Sequence, residues 1–251
     1  MMDVQAYLDR INYRGDSSPT SEALQALHLA HVLTVPFEDL DNFLGRPISL
    51  EPAALFAKIV RARRGGYCFE LNGLFSLLLE AMGFSVTRLI ARVWYGSRPP
   101  HPRSHQALLV HVGGQSWLVD VGFGGNGLLE PFPFVVGHVA TQCSERFRLT
   151  SVEQEEYLLQ CFIHDEWESL YSFSVHPCQP VDYQYASYFH SHSPESIFMQ
   201  HRICTMPTQD GRKTLVDHSL SIRRNGKNQK TVVGSDSEVA TVLREHFGII
   251  P

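Results

Sequence analysis

The sequence predicts an α+β fold: helices first, then an antiparallel β-barrel or strongly bent sheet, then a small segment that mixes strands with one helix. Three observations carry this. Up to Gly83, apolar residues recur at helical spacing; after it they alternate with period two. The strand-like runs that follow are short and come in series, as in antiparallel barrels. The last fifty or so residues hold strand patterns, an Asn-Gly turn signal and a terminal helical stretch.

In chain order, Val4, Leu8 and Ile11 mark one helix face, which Gly15 and Pro19 interrupt. Thr20 can cap a second helix bearing Leu24, Leu27 and His31, which must stop near Pro36. A third is expected from Ser49–Pro52 to Arg64, with proline in its first turn and Gly65-Gly66 as its stop. Arg61, Arg63 and Arg64 then read as cations complementing its C-terminus. In the fourth, Leu71, Leu74, Phe75, Leu78, Leu79 and Met82 form a buried stripe that Gly83 ends.

Residues 84–95, 105–112 and 116–122 read as strands, followed by 145–150, 156–163 and 170–174. SRPPHPRS (97–104) is a Pro-rich loop leading into His105. Residues 183–200 read as a connector with a short helix near Pro194. Strands follow at 201–206, 213–223 and 229–233, with a turn at Asn225-Gly226, and a helix runs from Ser235 or Ser237 to Phe247. The expected units are 1–83, 84–182, 183–200 and 201–251.

Composition narrows the function. The 251 residues are 43% hydrophobic, enough for a real core. A net charge of −5 argues against nucleic-acid or anionic-membrane partners. No run approaches the ~20 apolar residues of a membrane span. The five cysteines form no CxxC pair, and no secretory leader opens the chain, so a cytoplasmic protein with reduced thiols is expected. His190 and His192 lack a third ligand at useful spacing. They read as surface or connector histidines, and no metal site is expected.

Cys68 stands after two glycines and before the buried helical stripe. A helix N-terminus offers free N–H groups and partial positive charge, both of which stabilise a thiolate. A packed core cysteine is the alternative. A nucleophilic thiol needs a base, and the base an orienting group. If Gly113-Gly114 is a two-residue turn, Val112 faces Gln115, and His105 becomes the diagonal neighbour of Asp120 on one sheet face. That arrangement gives Cys68 as nucleophile, His105 as base and Asp120 as orienter. A loop-edge histidine and a turn-forming aspartate are the alternative. His111 shares the face of His105 and reads as a hydrogen-bonded barrel histidine.

RRGGYCFELNG around Cys68, PRSHQALLV around His105 and DVGFGG from Asp120 resemble the signature segments of the arylamine N-acetyltransferases. PFEDLDNFLGRPISL (36–50), ARVWYG (91–96) and SPESIFMQ (193–200) are similar to further segments of that family. Gln106-Ala107 depart from its more usual Met-Leu.

The resemblance implies a helical bundle, a β-barrel and an α/β lid, with Cys68, His105 and Asp120 as a cysteine-protease-like triad. It implies ping-pong transfer of an acetyl group from acetyl-CoA, a co-substrate rather than a bound cofactor, to arylamines, hydrazines or N-hydroxyarylamines. Phe37, Val93 and Phe123 would line the acceptor pocket, and Arg64 would pair with Glu38. Gly124 and Gly125 read either as a tight turn after the strand or as room for CoA beside Phe123. An amide synthase using a carrier-bound acyl chain, or a transglutaminase-like thiol hydrolase, could use the same three residues. GFGGNG (122–127) lacks the Lys-Ser/Thr of a nucleotide-hydrolase loop. Arg223, Arg224 and Lys227 read as a solvated hairpin tip.

Overall fold

The computed structural model describes residues 2–94, 102–143, 145–153 and 155–250. Positions 97–101 of the Pro-rich loop, and the end of the first expected strand at Tyr95, lie outside the described residues.

The helical part comprises α1 (Val4–Arg10), α2 (Ser21–Val32), the short strand β1 (Phe37–Glu38), α3 (Leu40–Phe43), α4 (Pro52–Phe56) and α5 (Cys68–Ala81). Asp3 and Thr20 accept hydrogen bonds from Ala6 N and Ala23 N, capping the first two helices. The third expected helix is shorter than its pattern suggested. After α4 it widens into a π-helical turn, Ala57–Arg61, and stops there. Buried Arg10 explains the stop. Its guanidinium donates to the carbonyls of Ile59, Arg63 and Arg64, replacing the partners that a continued helix would supply, and to that of Thr34 beyond the end of α2. Arg63 then takes a left-handed φ of 54° and turns the chain into Gly65.

Strands β2 (Ser85–Val93), β3 (Arg103–Val112), β4 (Gln115–Val119), β5 (Phe132–Pro133), β6 (Val139–Gln142), β7 (Glu145–Glu153), β8 (Glu156–Ile163) and β9 (Glu166–Phe173) form one antiparallel sheet. Its order is β5-β4-β3-β2-β9-β8-β7-β6. The sheet curls into a nearly closed barrel around Leu89, Ala107, Leu109, Phe147, Leu159 and Phe173. Strand β3 is buried on both faces. Ala107 and Leu109 point into the barrel, whereas Leu108 and Val110 join the core of the helical part. This is why QALLV reads as a continuous apolar run. The Gly113-Gly114 turn sets Val112 opposite Gln115, as expected.

A 3₁₀ turn (Pro180–Tyr183) leads to α6 (Gln184–His192) and α7 (Ile197–Gln200). The connector helix is therefore longer than expected and lies before Pro194. The rest comprises β10 (Ile203–Thr208), β11 (Gly211–Val216), β12 (Ser219–Arg224), β13 (Lys227–Val232) and α8 (Asp236–Phe247), capped by Ser235. The single strand expected over 213–223 is two strands. Asp217, at a φ of 51°, makes the turn between them. Strand β10 pairs with β1, placing Phe37 opposite Thr205. This last segment has its own core, to which Leu40 contributes. Among the described residues, no helix is long and apolar enough to cross a membrane.

Candidate active site

Cys68 is the first residue of α5, one turn before the apolar stripe anchors that helix. Glu70 accepts the Tyr67 N–H at 3.2 Å and is held by Lys58 at 2.8 and 2.9 Å, which fixes the chain entering the helix. The His105 ring reaches the thiol from β3. Its Nε2–H donates to Asp120 Oδ2 at 2.7 Å, and the ring lines the same cavity as the Cys68 side chain. With Nε2 occupied by Asp120, Nδ1 is the nitrogen left for sulfur. The carbonyl of Ser104 lies 3.8 Å from Sγ.

All three side chains are buried. Burial opposes a charge on His105, but the Asp120 carboxylate and its hydrogen bond outweigh it, and Cys68 adds to them; the imidazole is held well above its ordinary value. Burial pushes Asp120 up, yet His105, Asn72 and the Gly122 N–H bring it below the usual carboxylate range. The two groups therefore stabilise one another as an ion pair.

Strand β4 ends at Val119, three residues before the expected end, for a reason that serves this site. The next three backbone N–H groups are taken by side chains instead of a neighbouring strand. Asp120 N–H points at His28 Nε2 (3.4 Å), Val121 N–H donates to Asn72 Oδ1 (2.9 Å) and Gly122 N–H to Asp120 Oδ1 (2.9 Å). Asn72 Nδ2 also donates to Asp120 Oδ1 (2.8 Å) and to the Gln106 carbonyl (2.6 Å). One buried amide thus ties the helix of Cys68 to the strand of His105 and the loop of Asp120. His28 donates from Nδ1 to the Leu129 carbonyl (2.9 Å), and burial pushes it down to about 4, so it stays neutral. The sequence reading missed both residues. Their signal was a polar side chain inside an apolar helix face.

Cys68 and His105 line a cavity of about 560 Å³ whose walls include Phe37, Val93 and Phe123. Phe189, His190 and Phe198 from α6 and α7 complete it. The sequence reading placed His190 on the surface or connector; it is buried, with Nε2 donating to the Ser104 carbonyl at 3.0 Å. His192 is exposed. His111 is exposed too and bonded to Ser116 at 2.8 Å, so it sits at the solvent end of its strand and not inside the barrel.

Gly122 permits the close approach of loop and nucleophile: a Cβ there would lie 2.9 Å from Cys68 Cα. Gly124 has a φ of +79°, and a Cβ there would lie 2.6 Å from the Phe37 ring. Gly125 lines the main cavity; Gly124 and Gly125 both line a smaller one bounded by Phe37 and Arg212. Arg64 grips Glu38 through Nε (2.9 Å) and Nη2 (3.0 Å) and so does not serve the helix end. Arg223 is paired with Glu145, whereas Arg224 and Lys227 are exposed. Among the described residues, no cluster of three or more His, Cys, Asp or Glu could hold a metal ion.

A thiol at a helix start, an imidazole fixed by a buried carboxylate and an apolar cleft above them suit acyl transfer through a thioester. Comparison with known proteins places the chain among acetyltransferases. Residues 20–250 match the profile of the N-acetyltransferase family. The arylamine N-acetyltransferase / N-hydroxyarylamine O-acetyltransferase of Salmonella typhimurium is 38% identical over 98% of this chain and 88% of its own. The solved arylamine N-acetyltransferase of M. tuberculosis superposes with a TM-score of 0.93 at 38% identity, covering 98% of this chain and 94% of that one. The Mycobacterium marinum enzyme in complex with CoA superposes at 0.92 and 36% identity, covering 98% and 93%. The chain belongs to the arylamine N-acetyltransferase family.

Proposed function

We propose that this acetyltransferase works by a ping-pong mechanism through Cys68, with His105 as base and Asp120 as orienter. The observation that carries the proposal is the 2.7 Å contact from Asp120 to His105, beside a thiol that opens into the cavity. In the first half-reaction Sγ attacks the acetyl-CoA carbonyl. The C–S bond to CoA breaks, and CoA leaves as a thiol with a proton from His105. In the second, an arylamine or hydrazine nitrogen, or the oxygen of an N-hydroxyarylamine, attacks the acetyl-cysteine. The imidazole takes its proton, and the Cys68 sulfur leaves.

Phe37, Val93 and Phe123 hold the acceptor ring. An arylamine is a weak base and enters such a pocket neutral, so no charge has to be paired there. The donor enters past Gly124 and Gly125. Arg212 supports this path, because it lines both the small cavity beside those glycines and a larger cavity of about 470 Å³ with Arg223 and Lys230. Such cations suit the phosphate-bearing end of CoA.

We take 1–83 as the unit bearing the nucleophile, 84–182 as the unit bearing His105 and Asp120, 183–200 as connector and 201–251 as an accessory lid. Phe189, His190 and Phe198 make the connector the nearer cover of Cys68. Water exclusion there limits hydrolysis of the thioester. Incubation with acetyl-CoA alone, followed by intact mass and peptide mapping, tests the proposal. One acetyl group on the Cys68 peptide is expected. Rapid amine acetylation with no acetyl-cysteine at any stage would overturn it.

A further inference from the structure

The acceptor cavity is electrically one-sided. Its walls are apolar, and most of its polar groups are already engaged. His105 is locked to Asp120. The Ser104 carbonyl accepts from His190 and faces the Cys68 thiol. Ser196 Oγ donates to the His190 carbonyl and accepts the Phe198 N–H. Glu195 is different. It lines the same cavity and is exposed, and its carboxylate makes no hydrogen bond or ion pair with a described residue. No lysine or arginine lines the cavity among the described residues.

The geometry of transfer orients the ligand. The acceptor nitrogen must reach Cys68 and His105, which are almost wholly buried. The opposite end of the ring then points outward, toward the rim where Glu195 is exposed to water. We infer that Glu195 is a specificity-determining residue: it favours aromatic amines with a cationic or N–H-bearing group opposite the amine, and it disfavours aromatic amino-carboxylates. This rests on the acetyl-transfer reading for the identity of the ligand, but not for its test. A carboxylate some 6 Å from a ligand charge, in a partly wet site, changes affinity by about fivefold.

The test compares the wild-type protein with Glu195→Gln, with no CoA present. Dissociation constants for para-aminobenzamidine, para-aminobenzamide and para-aminobenzoate are measured by NMR titration at low salt. In the variant, the amidine should bind about fivefold more weakly and the benzoate about fivefold more tightly, while the neutral amide stays unchanged. Both shifts should shrink in high salt as the charge is screened. If all three ligands shift together, or none shifts, or the wild type binds the benzoate more tightly than the amide, the inference is wrong. Acetylation of Cys68 is scored separately, so its failure would count against the transfer reading without obscuring these ratios.

Discussion

Asn72→Asp replaces the amide at the centre of the site with a side chain of the same shape, and its cost can be worked from the distances. In the wild-type protein Nδ2 donates to Asp120 Oδ1 at 2.8 Å and to the Gln106 carbonyl at 2.6 Å. An ionised carboxylate would place an oxygen against both. Two unit charges 2.8 Å apart repel by about 6 kcal/mol at an effective dielectric of about 20. Binding a proton costs less, about 4 kcal/mol at pH 7 for a group with an ordinary pKa near 4. The new side chain therefore folds protonated. Its one O–H satisfies one acceptor and leaves the other orphaned, at about 1–3 kcal/mol.

The sign of the pH effect follows. The introduced carboxyl is neutral when folded and ionised when unfolded, so its pKa is raised by folding. Its penalty is smallest below the unfolded pKa and grows by about 1.4 kcal/mol per pH unit above it. Urea unfolding at pH 5, 5.75 and 6.5 should show the gap to the wild type widening by about 2 kcal/mol. Asn72→Leu orphans the same partners without adding a titrating group, so its gap should stay nearly flat. A flat gap for Asn72→Asp as well would show that position 72 does not face the Asp120 carboxylate, and would refute the reasoning.

Asp120→Asn should fold yet lose up to about 10⁴-fold in single-turnover release of CoA from acetyl-CoA. Because Asp120 holds His105 above its ordinary value, NMR of the wild type near pH 7.5 should show an imidazolium that this variant lacks; an unchanged titration would remove Asp120 from its role. Burial holds the Cys204 thiol well above its ordinary value and pushes Cys161 up to about 12. Iodoacetamide should therefore label Cys68 in the folded protein, and acetyl-CoA should block that labelling. Prompt labelling of Cys161 or Cys204, with Cys68 inert, would contradict the site assignment.

Local pattern determined much of this molecule. The stripe from Leu71 to Met82 specified α5, and its start specified where Cys68 stands. The two-residue turn at Gly113-Gly114 fixed the pairing of β3 with β4 as far as Leu108 opposite Val119, which returns the chain to the neighbourhood of His105 just before Asp120. Each of these follows from a period or a turn a few residues long, where neighbours in sequence are neighbours in space.

Other features required distant partners. The third helix carried a good helical pattern to Arg64 but stops at Arg61, because Arg10, some fifty residues earlier, claims its carbonyls. Asp120–Gly122 read as strand but leave the sheet, because His28, Asn72 and the Asp120 carboxylate take their N–H groups in turn. His190 read as a connector residue until α6 folded over β3 and gave it the Ser104 carbonyl. A buried polar group is stable only when its partners are in place, and those partners lie 24 to 120 residues away along this chain in the contacts of Tyr7, Asn72, His190 and Tyr67. No periodicity encodes such separations. They are decided when helices, barrel and connector pack together, and that packing also places Glu195 at the rim of the pocket.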